Sequence, residues 1–166
     1  QMGKQMVSHL SPEEAKMLDS STDLKSMLSD PSLLQVQAFI NNEWVDAENS
    51  GTFNVKNPAR GDVIAQVADL SRTDLVHAIS GAEVAQKKWA AISAKERSNI
   101  LRAWYNLMME NQADLAKILT AEMGKPLTEA MGEIAYGASF VEFFAEEAKR
   151  NYGETIPGHQ TDKRIT

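Results

Sequence analysis

The spacing of apolar residues changes twice along the chain and divides it into three parts. From residue 39 to 67, apolar residues come in short runs separated by turn residues, which is typical of β-strands. After Asp69 they recur at steps of three and four, the period of amphipathic helices. Before residue 39 there are only short helix signals, a capped start at Ser11-Pro12-Glu13-Glu14 and a break at Asp30-Pro31. The pattern predicts a loosely attached N-terminal extension, residues 1–38, and a folded portion, residues 39–166.

The strand-rich part contains two turn signals. Asn41-Asn42 tolerates positive φ and suits a tight hairpin between the apolar runs on either side of it. Two further runs, 52–56 and 62–67, are joined by Asn57-Pro58-Ala59-Arg60-Gly61, whose Pro and Gly mark a turn. We expect a small antiparallel β meander.

The helical part carries its own start signals. Ser71 with Asp74, and Ser93 with Glu96, have the spacing of capping boxes. A third helix is predicted from about Asn111 to Met123, and a fourth from Pro126 to about Arg150. The first helix places one apolar stripe toward a core, namely Leu75, Ile79, Ala82, Ala85 and Trp89.

The fourth helix has two apolar faces, which a one-sided surface helix does not explain. One face carries Leu127, Met131, Ile134, Ala138, Val141 and Ala145, and the other carries Tyr136, Phe140 and Phe143. Gly132 and Gly137 inside it each cost about 1 kcal/mol relative to Ala. They predict that another backbone approaches this helix.

The Gly124-Lys125 pair raises the possibility of a phosphate-binding loop. That loop requires an earlier glycine, where this chain has Leu119, and a hydroxyl after the lysine, where it has Pro126. A helix corner accounts for the same residues, because Gly124 suits the left-handed end of one helix and Pro126 the start of the next. We therefore expect a structural corner.

Charge and composition exclude several classes of function. A formal net charge of −6 argues against a nucleic-acid or anionic-membrane surface. The first 38 residues contain no Arg and five acids, unlike a mitochondrial transit peptide, so we expect a cytoplasmic protein.

Groups that carry covalent or metal chemistry are scarce. There is no cysteine, and the three histidines, His9, His77 and His159, lie in separate segments without ligand spacing. No G-x-S-x-G occurs, and no G-x-G-x-x-G follows a strand. The chain is therefore either a binding module or part of something larger.

Five motifs in order resemble the amino-terminal third of the NAD(P)-dependent aldehyde dehydrogenases. They are FINNEWVDA, NPARGDVIAQV, a capped helix ending QKKW, SAKERSNILRAWYNLM and LTAEMGKPLTEAMGEI. The segment from Glu122 through the GETIPG exit is most similar to succinate-semialdehyde dehydrogenases.

The resemblance implies oxidation of an aldehyde, here succinate semialdehyde, to its acid with NADP or NAD. A cysteine thiolate adds to the aldehyde, hydride passes to the nicotinamide, and a glutamate-activated water releases the acid. In relatives the catalytic and cofactor-binding residues all follow the portion represented here, so none is assigned in this chain. We expect the 166 residues alone to be inactive.

The resemblance also implies two sites and an overall architecture. A structural Na+ or K+ would use main-chain oxygens near Lys56 and the carboxylate of Glu122. The open alternative is that Glu122 is an ordinary residue in the last turn of a helix. Tyr136 and Phe140 would border the aldehyde tunnel, unless they pack in a core or on another subunit. The full relative is α/β and Rossmann-like, whereas this segment is mostly α-helical and ends in the start of an oligomerisation strand. We expect a homodimer or homotetramer, and the open alternative is a non-catalytic helical interaction module.

Overall fold

The structure is a computed structural model, and it describes residues 11–13, 23–159, 161 and 163–165. In the leader, Pro12 and Glu13 are helical, Leu24–Met27 forms a one-turn helix, α1, and Pro31–Leu33 forms a 3-10 turn. The predicted helix start at residues 11–14 is described only as far as Glu13. His9 also lies outside the described residues.

The strands pair as antiparallel hairpins. β1, Ala38–Ile40, pairs with β2, Glu43–Val45, across Asn41 and Asn42, whose φ values of 54° and 67° fit the predicted tight turn. β3, Thr52–Lys56, pairs with β4, Val63–Ala68. The two hairpins remain separate two-stranded sheets instead of joining into one meander. In the loop between them, the Glu48 N–H donates to Asp74 on a helix.

Four long helices follow. They are α2, Arg72–Ala91, α3, Ala94–Glu110, α4, Gln112–Met123, and α5, Leu127–Glu147. Both predicted capping boxes are present, at Ser71 with Asp74 and at Ser93 with Glu96. Gly124 ends α4 at φ 81°, the left-handed conformation predicted for it. α5 ends three residues before the predicted Arg150.

The tail forms two paired strands, β5, Thr155–Pro157, and β6, Lys163–Ile165. The strand start that the sequence predicts at the end of the chain corresponds to the second of them, and the first was not predicted. Whether this hairpin takes part in oligomerisation stays a prediction.

The core is small and agrees with the predicted one only in part, at Ala138 and Ala145 of α5. Its buried cluster consists of Leu24, Leu28, Leu34 and Ala121, with Ile64 and Ile118 packed against it. Three of these residues come from the leader, so the expectation of loose attachment is wrong for residues 24–34. The reason is that the leader places its leucines against apolar positions of α4 and β4.

The predicted stripe on α2 is not buried in the described part of the chain. Leu75, Ile79 and Trp89 are exposed by 56%, 59% and 39%. Together with Ile92, the alanines of the stripe line an open apolar groove. The helical period of the sequence therefore identified the apolar face of α2 correctly. The described residues do not bury that face.

Candidate functional site

The predicted tunnel residues lie next to each other on the exposed side of α5. Tyr136 and Phe140 are 66% and 48% exposed, and their rings meet edge to face with centroids 4.8 Å apart. One turn further, Phe143 and Phe144 form a second such pair at 5.3 Å, each 57% exposed. The structure thus presents an apolar aromatic surface on one side of α5.

The opposite face of α5 packs within the chain, as predicted. Ala130, Ala138 and Ala145 are buried there, and α3 and α4 are its neighbours. The predicted close backbone at Gly132 and Gly137 is wrong among the described residues, because no atom beyond the adjacent turns of α5 itself lies within 4 Å of a Cβ built on either glycine. Both glycines therefore leave open space along the helix.

Arg102 links α3 to α5 through ion pairs. Its guanidinium donates to Glu142 at 2.6 Å and to Glu146 at 2.5 Å, and its charged group lies 5.3 Å from the Tyr105 ring centroid. The hydrogen bonds from Arg102 and then Lys149 hold the pKa of Glu146 below its usual value. These contacts add to the packing of α3 against α5.

The candidate cation site lies between β3 and α4. Lys56 ends β3 and Glu122 is exposed in the last turn of α4. The turn after Lys56 packs on the corner after Glu122, since a Cβ on Gly124 would lie 3.0 Å from Pro58 Cγ. The fold therefore brings the two predicted segments together, but it shows no ion-binding geometry.

The turn itself is rigidly built. Asn57 is 5% exposed, and its side-chain oxygen accepts the N–H groups of Ala59 at 2.9 Å and Arg60 at 3.2 Å. Arg60 forms a two-pronged ion pair with Asp62, both bonds being 2.7 Å. The hydrogen bond from Arg60 lowers the pKa of Asp62. Sequence reasoning identified this turn but did not identify the Arg60–Asp62 pair.

The remaining candidates carry no site chemistry in the described residues. Lys125 forms an ion pair with Glu133 on α5, in keeping with a structural corner. His77 and His159 are exposed and lie in separate segments. No group of three or more His, Asp or Glu side chains in the described ranges is arranged to hold a metal ion. None of the helices described is long and apolar enough to cross a membrane.

The contact between the leader and α4 was not predicted from the sequence either. Asp114 and Lys117 on α4 are buried and bond to the leader backbone. An Asp-x-x-Lys pair on a helix is ordinarily a surface pair, so spacing gave no signal. The one sequence feature that indicates burial is that this Asp-x-x-Lys pair has apolar residues on both sides.

Comparison with known proteins gives consistent matches. The sequence model of the Aldehyde dehydrogenase family matches residues 44–166. The chain is 56% identical over 138 residues to the glutarate-semialdehyde dehydrogenase of Pseudomonas putida and covers 29% of it. It is 54% identical over 138 residues to the NADP+ succinate-semialdehyde dehydrogenase of Escherichia coli and also covers 29% of it. Each match spans 83% of this chain.

A solved structure agrees with these relatives. The crystal structure of an NADP-dependent enzyme of Escherichia coli is similar with a TM-score of 0.81 at 53% identity, over 83% of this chain and 29% of that one. The chain thus spans less than a third of the length of the proteins it resembles.

Proposed function

The chain belongs to the aldehyde dehydrogenase family, and from that premise we propose that it is the amino-terminal part of a semialdehyde dehydrogenase that uses NADP+ or NAD+. The observation that carries the proposal is its identity of 54–56% to two enzymes named for succinate and glutarate semialdehyde. Both compounds have an aldehyde at one end and a carboxylate at the other. Succinate semialdehyde is the substrate we propose first, and another small aldehyde is the alternative.

The role of these residues is to support the chemistry, not to perform it. Oxidation in this family needs a thiolate nucleophile, and the 166 residues contain no cysteine. No glycine-rich loop of the dinucleotide-binding type follows a strand here, so we place the cofactor contacts outside this segment. When bound, the nicotinamide accepts the hydride. We propose that β1–β4 and the helices hold the catalytic portion in position.

We assign Tyr136 and Phe140 to the wall of the aldehyde tunnel. The assignment is supported by the exposure of this pair of aromatic rings, because an apolar surface left exposed in a chain marks a contact with something else. Such a wall would contact the methylene chain of a semialdehyde and exclude water from it. Packing against a second subunit is the competing use of the same surface, since we also expect a homodimer or homotetramer in the cytoplasm.

A helical interaction module is the second candidate function. The exposed apolar faces of α2 and α5 favour it, because such faces mark partner surfaces. A module would bind its partner without requiring a catalytic portion. An oxidation assay with a chimaeric enzyme separates the two proposals.

The chimaera carries this chain in place of the matching segment of the Pseudomonas putida relative. It should reduce NADP+ or NAD+ with succinic and glutaric semialdehyde, and more slowly with butanal, which has no carboxylate. A chimaera that folds and assembles like the parent yet oxidises none of these would contradict the enzyme proposal and favour the module.

The tunnel assignment is tested in the same chimaera. Phe140→Ala should raise KM for succinic semialdehyde by about tenfold, because part of the apolar wall is lost. Phe53→Ala is the matched control, since Phe53 is similarly exposed, at 51%, but lies on β3. If the two substitutions change KM equally, Phe140 does not line the tunnel.

A further inference from the structure

Two buried charged residues on α4 bind the backbone of the leader. Asp114 is 4% exposed, and its carboxylate accepts the N–H of Asp30 at 2.8 Å and also that of Ser29. Lys117 is 9% exposed and donates from Nζ to the Met27 carbonyl at 3.0 Å. Three backbone groups within residues 27–30 are thus held by two side chains one helical turn apart.

The leader side chains add a second set of contacts. Leu24, Leu28 and Leu34 are 5%, 7% and 8% exposed. Together with Ala121 they form the buried cluster, and Ile64 of β4 and Ile118 of α4 pack against it. In peptide recognition, backbone hydrogen bonds supply affinity and pockets for spaced side chains supply specificity. The leader is therefore seated as a peptide ligand would be.

The leader supplies most of the hydrogen-bond partners of the buried charges of Asp114 and Lys117. Their own contact is long, 3.4 Å between Lys117 Nζ and the Asp114 carboxylate, and buried charges need more hydrogen bonds than that. Burial alone would raise the pKa of Asp114, but the Asp30 and Ser29 N–H groups and Lys117 outweigh it and hold that pKa below its usual value. The leader backbone thus completes the partners of both side chains.

We propose that α4 and β4 form a peptide-binding groove whose occupant is the chain's own leader, residues 23–34, and that Asp114 and Lys117 clasp its backbone. The groove selects a segment with leucines at the spacing of Leu24, Leu28 and Leu34. It acts as a strap joining β4 to α4, and it does not rest on the proposed oxidation. Release of the strap would expose the apolar cluster and free the groove.

Amide hydrogen exchange of the 166-residue chain tests the clasp at single residues. In the unsubstituted chain the amides of Ser29 and Asp30 should exchange slowly. Asp114→Ala should speed their exchange by about tenfold or more, because charge-assisted hydrogen bonds are lost, while α3 and α5 keep their rates. Glu83→Gln is the control, since Glu83 pairs with Lys87 on α2 and both side chains are 74% exposed.

A second variant distinguishes loss of the clasp from general unfolding of the chain. Lys117→Met keeps the apolar stem and removes the bond to the Met27 carbonyl together with the long contact to Asp114, so it should loosen the leader without affecting α5. The proposal is wrong if Ser29 and Asp30 already exchange like a free peptide, if neither variant changes them, or if both variants speed every helix equally.

A peptide supplied separately tests the groove itself. Leu28→Asp should release the leader, which faster exchange of residues 24–34 will confirm. A labelled peptide with the sequence of residues 23–34 should then bind this variant saturably and bind the unsubstituted chain much more weakly. A scrambled peptide should not bind. Equal binding to both chains, or no binding to a variant whose leader is released, would overturn the proposal.

Discussion

Gly124 and Pro58 meet where the β3–β4 turn crosses the corner between α4 and α5. A Cβ added to Gly124 would lie 3.0 Å from Pro58 Cγ, and the glycine has φ 81°. Both the conformation and the close approach require glycine here. The Gly-Lys-Pro sequence is therefore a packing feature, and Lys125 turns away to pair with Glu133.

Two glycine substitutions should have opposite effects on stability. Gly124→Ala should lower the free energy of unfolding by about 1–2 kcal/mol, since the left-handed conformation is strained for alanine. Gly132→Ala should raise it by about 0.5–1 kcal/mol, because α5 gains helix propensity and no atom of the described chain is in the way. Denaturant unfolding of the two variants measures both. A loss at Gly132 as large as that at Gly124 would show that another surface already covers α5.

Asp74 makes the stability of the chain sensitive to acid. The Ser71 hydroxyl and then the Ser71 N–H bond to its carboxylate and lower its pKa from the usual 3.8. A lowered pKa in the folded state contributes stability above the unfolded pKa, and this is lost as pH falls through the folded value. Asp74→Asn should therefore destabilise the chain at pH 7, and the difference from the unsubstituted chain should shrink below about pH 4.

Unfolding midpoints measured across this pH range test the Asp74 prediction. Asp69→Asn, at an exposed aspartate just before α2, is the control and should change the midpoint little. A difference between Asp74→Asn and the unsubstituted chain that persists unchanged into acid would contradict the assignment.

Arg102 should couple α3 to α5 in a salt-dependent manner. Arg102→Met removes two charge-assisted hydrogen bonds, to Glu142 and Glu146, and should lower the unfolding midpoint most at low ionic strength. All three side chains are partly exposed, so salt should reduce the effect. Arg102→Lys should restore part of it. If salt leaves the effect of Arg102→Met unchanged, it reflects lost packing rather than the ion pairs.

The proposed cation site predicts a dependence on K+ or Na+. In the chimaera, Glu122→Gln should weaken stabilisation by added K+ compared with added choline, because a carboxylate oxygen is lost. Glu129→Gln, an exposed acid in the first turn of α5, is the control. If K+ stabilises the Glu122→Gln variant and the unsubstituted chimaera equally, Glu122 is not a ligand of the cation.

Local signals in the sequence predicted the elements well. The Ser71 and Ser93 boxes, the Asn41-Asn42 turn and the Gly124 end all depend on contacts within a few residues, and all are present. Contacts between distant segments could not be read in this way. The leader binds α4 through backbone groups that any sequence would offer. Gly81 is a further case, since its missing side chain makes room for Asn41 on the β1–β2 turn.

The candidate site was predicted less completely than the fold. The periodicity of α5 indicated that Tyr136 and Phe140 form a face apart from the core, and the structure places them together and exposed. Their partner cannot be deduced from that periodicity, because an apolar face looks the same whether it lines a tunnel or a subunit contact. The cation and tunnel assignments therefore stay proposals.

The central claim is that these residues support a thiol-dependent oxidation without supplying the thiol. The most direct test measures NADP+ and NAD+ reduction by succinic semialdehyde with the 166-residue chain, its mass verified, beside the chimaera at equal concentration. The account predicts no reduction above background by the chain alone and turnover by the chimaera. Reduction by the chain alone, at a rate proportional to its concentration, would contradict it.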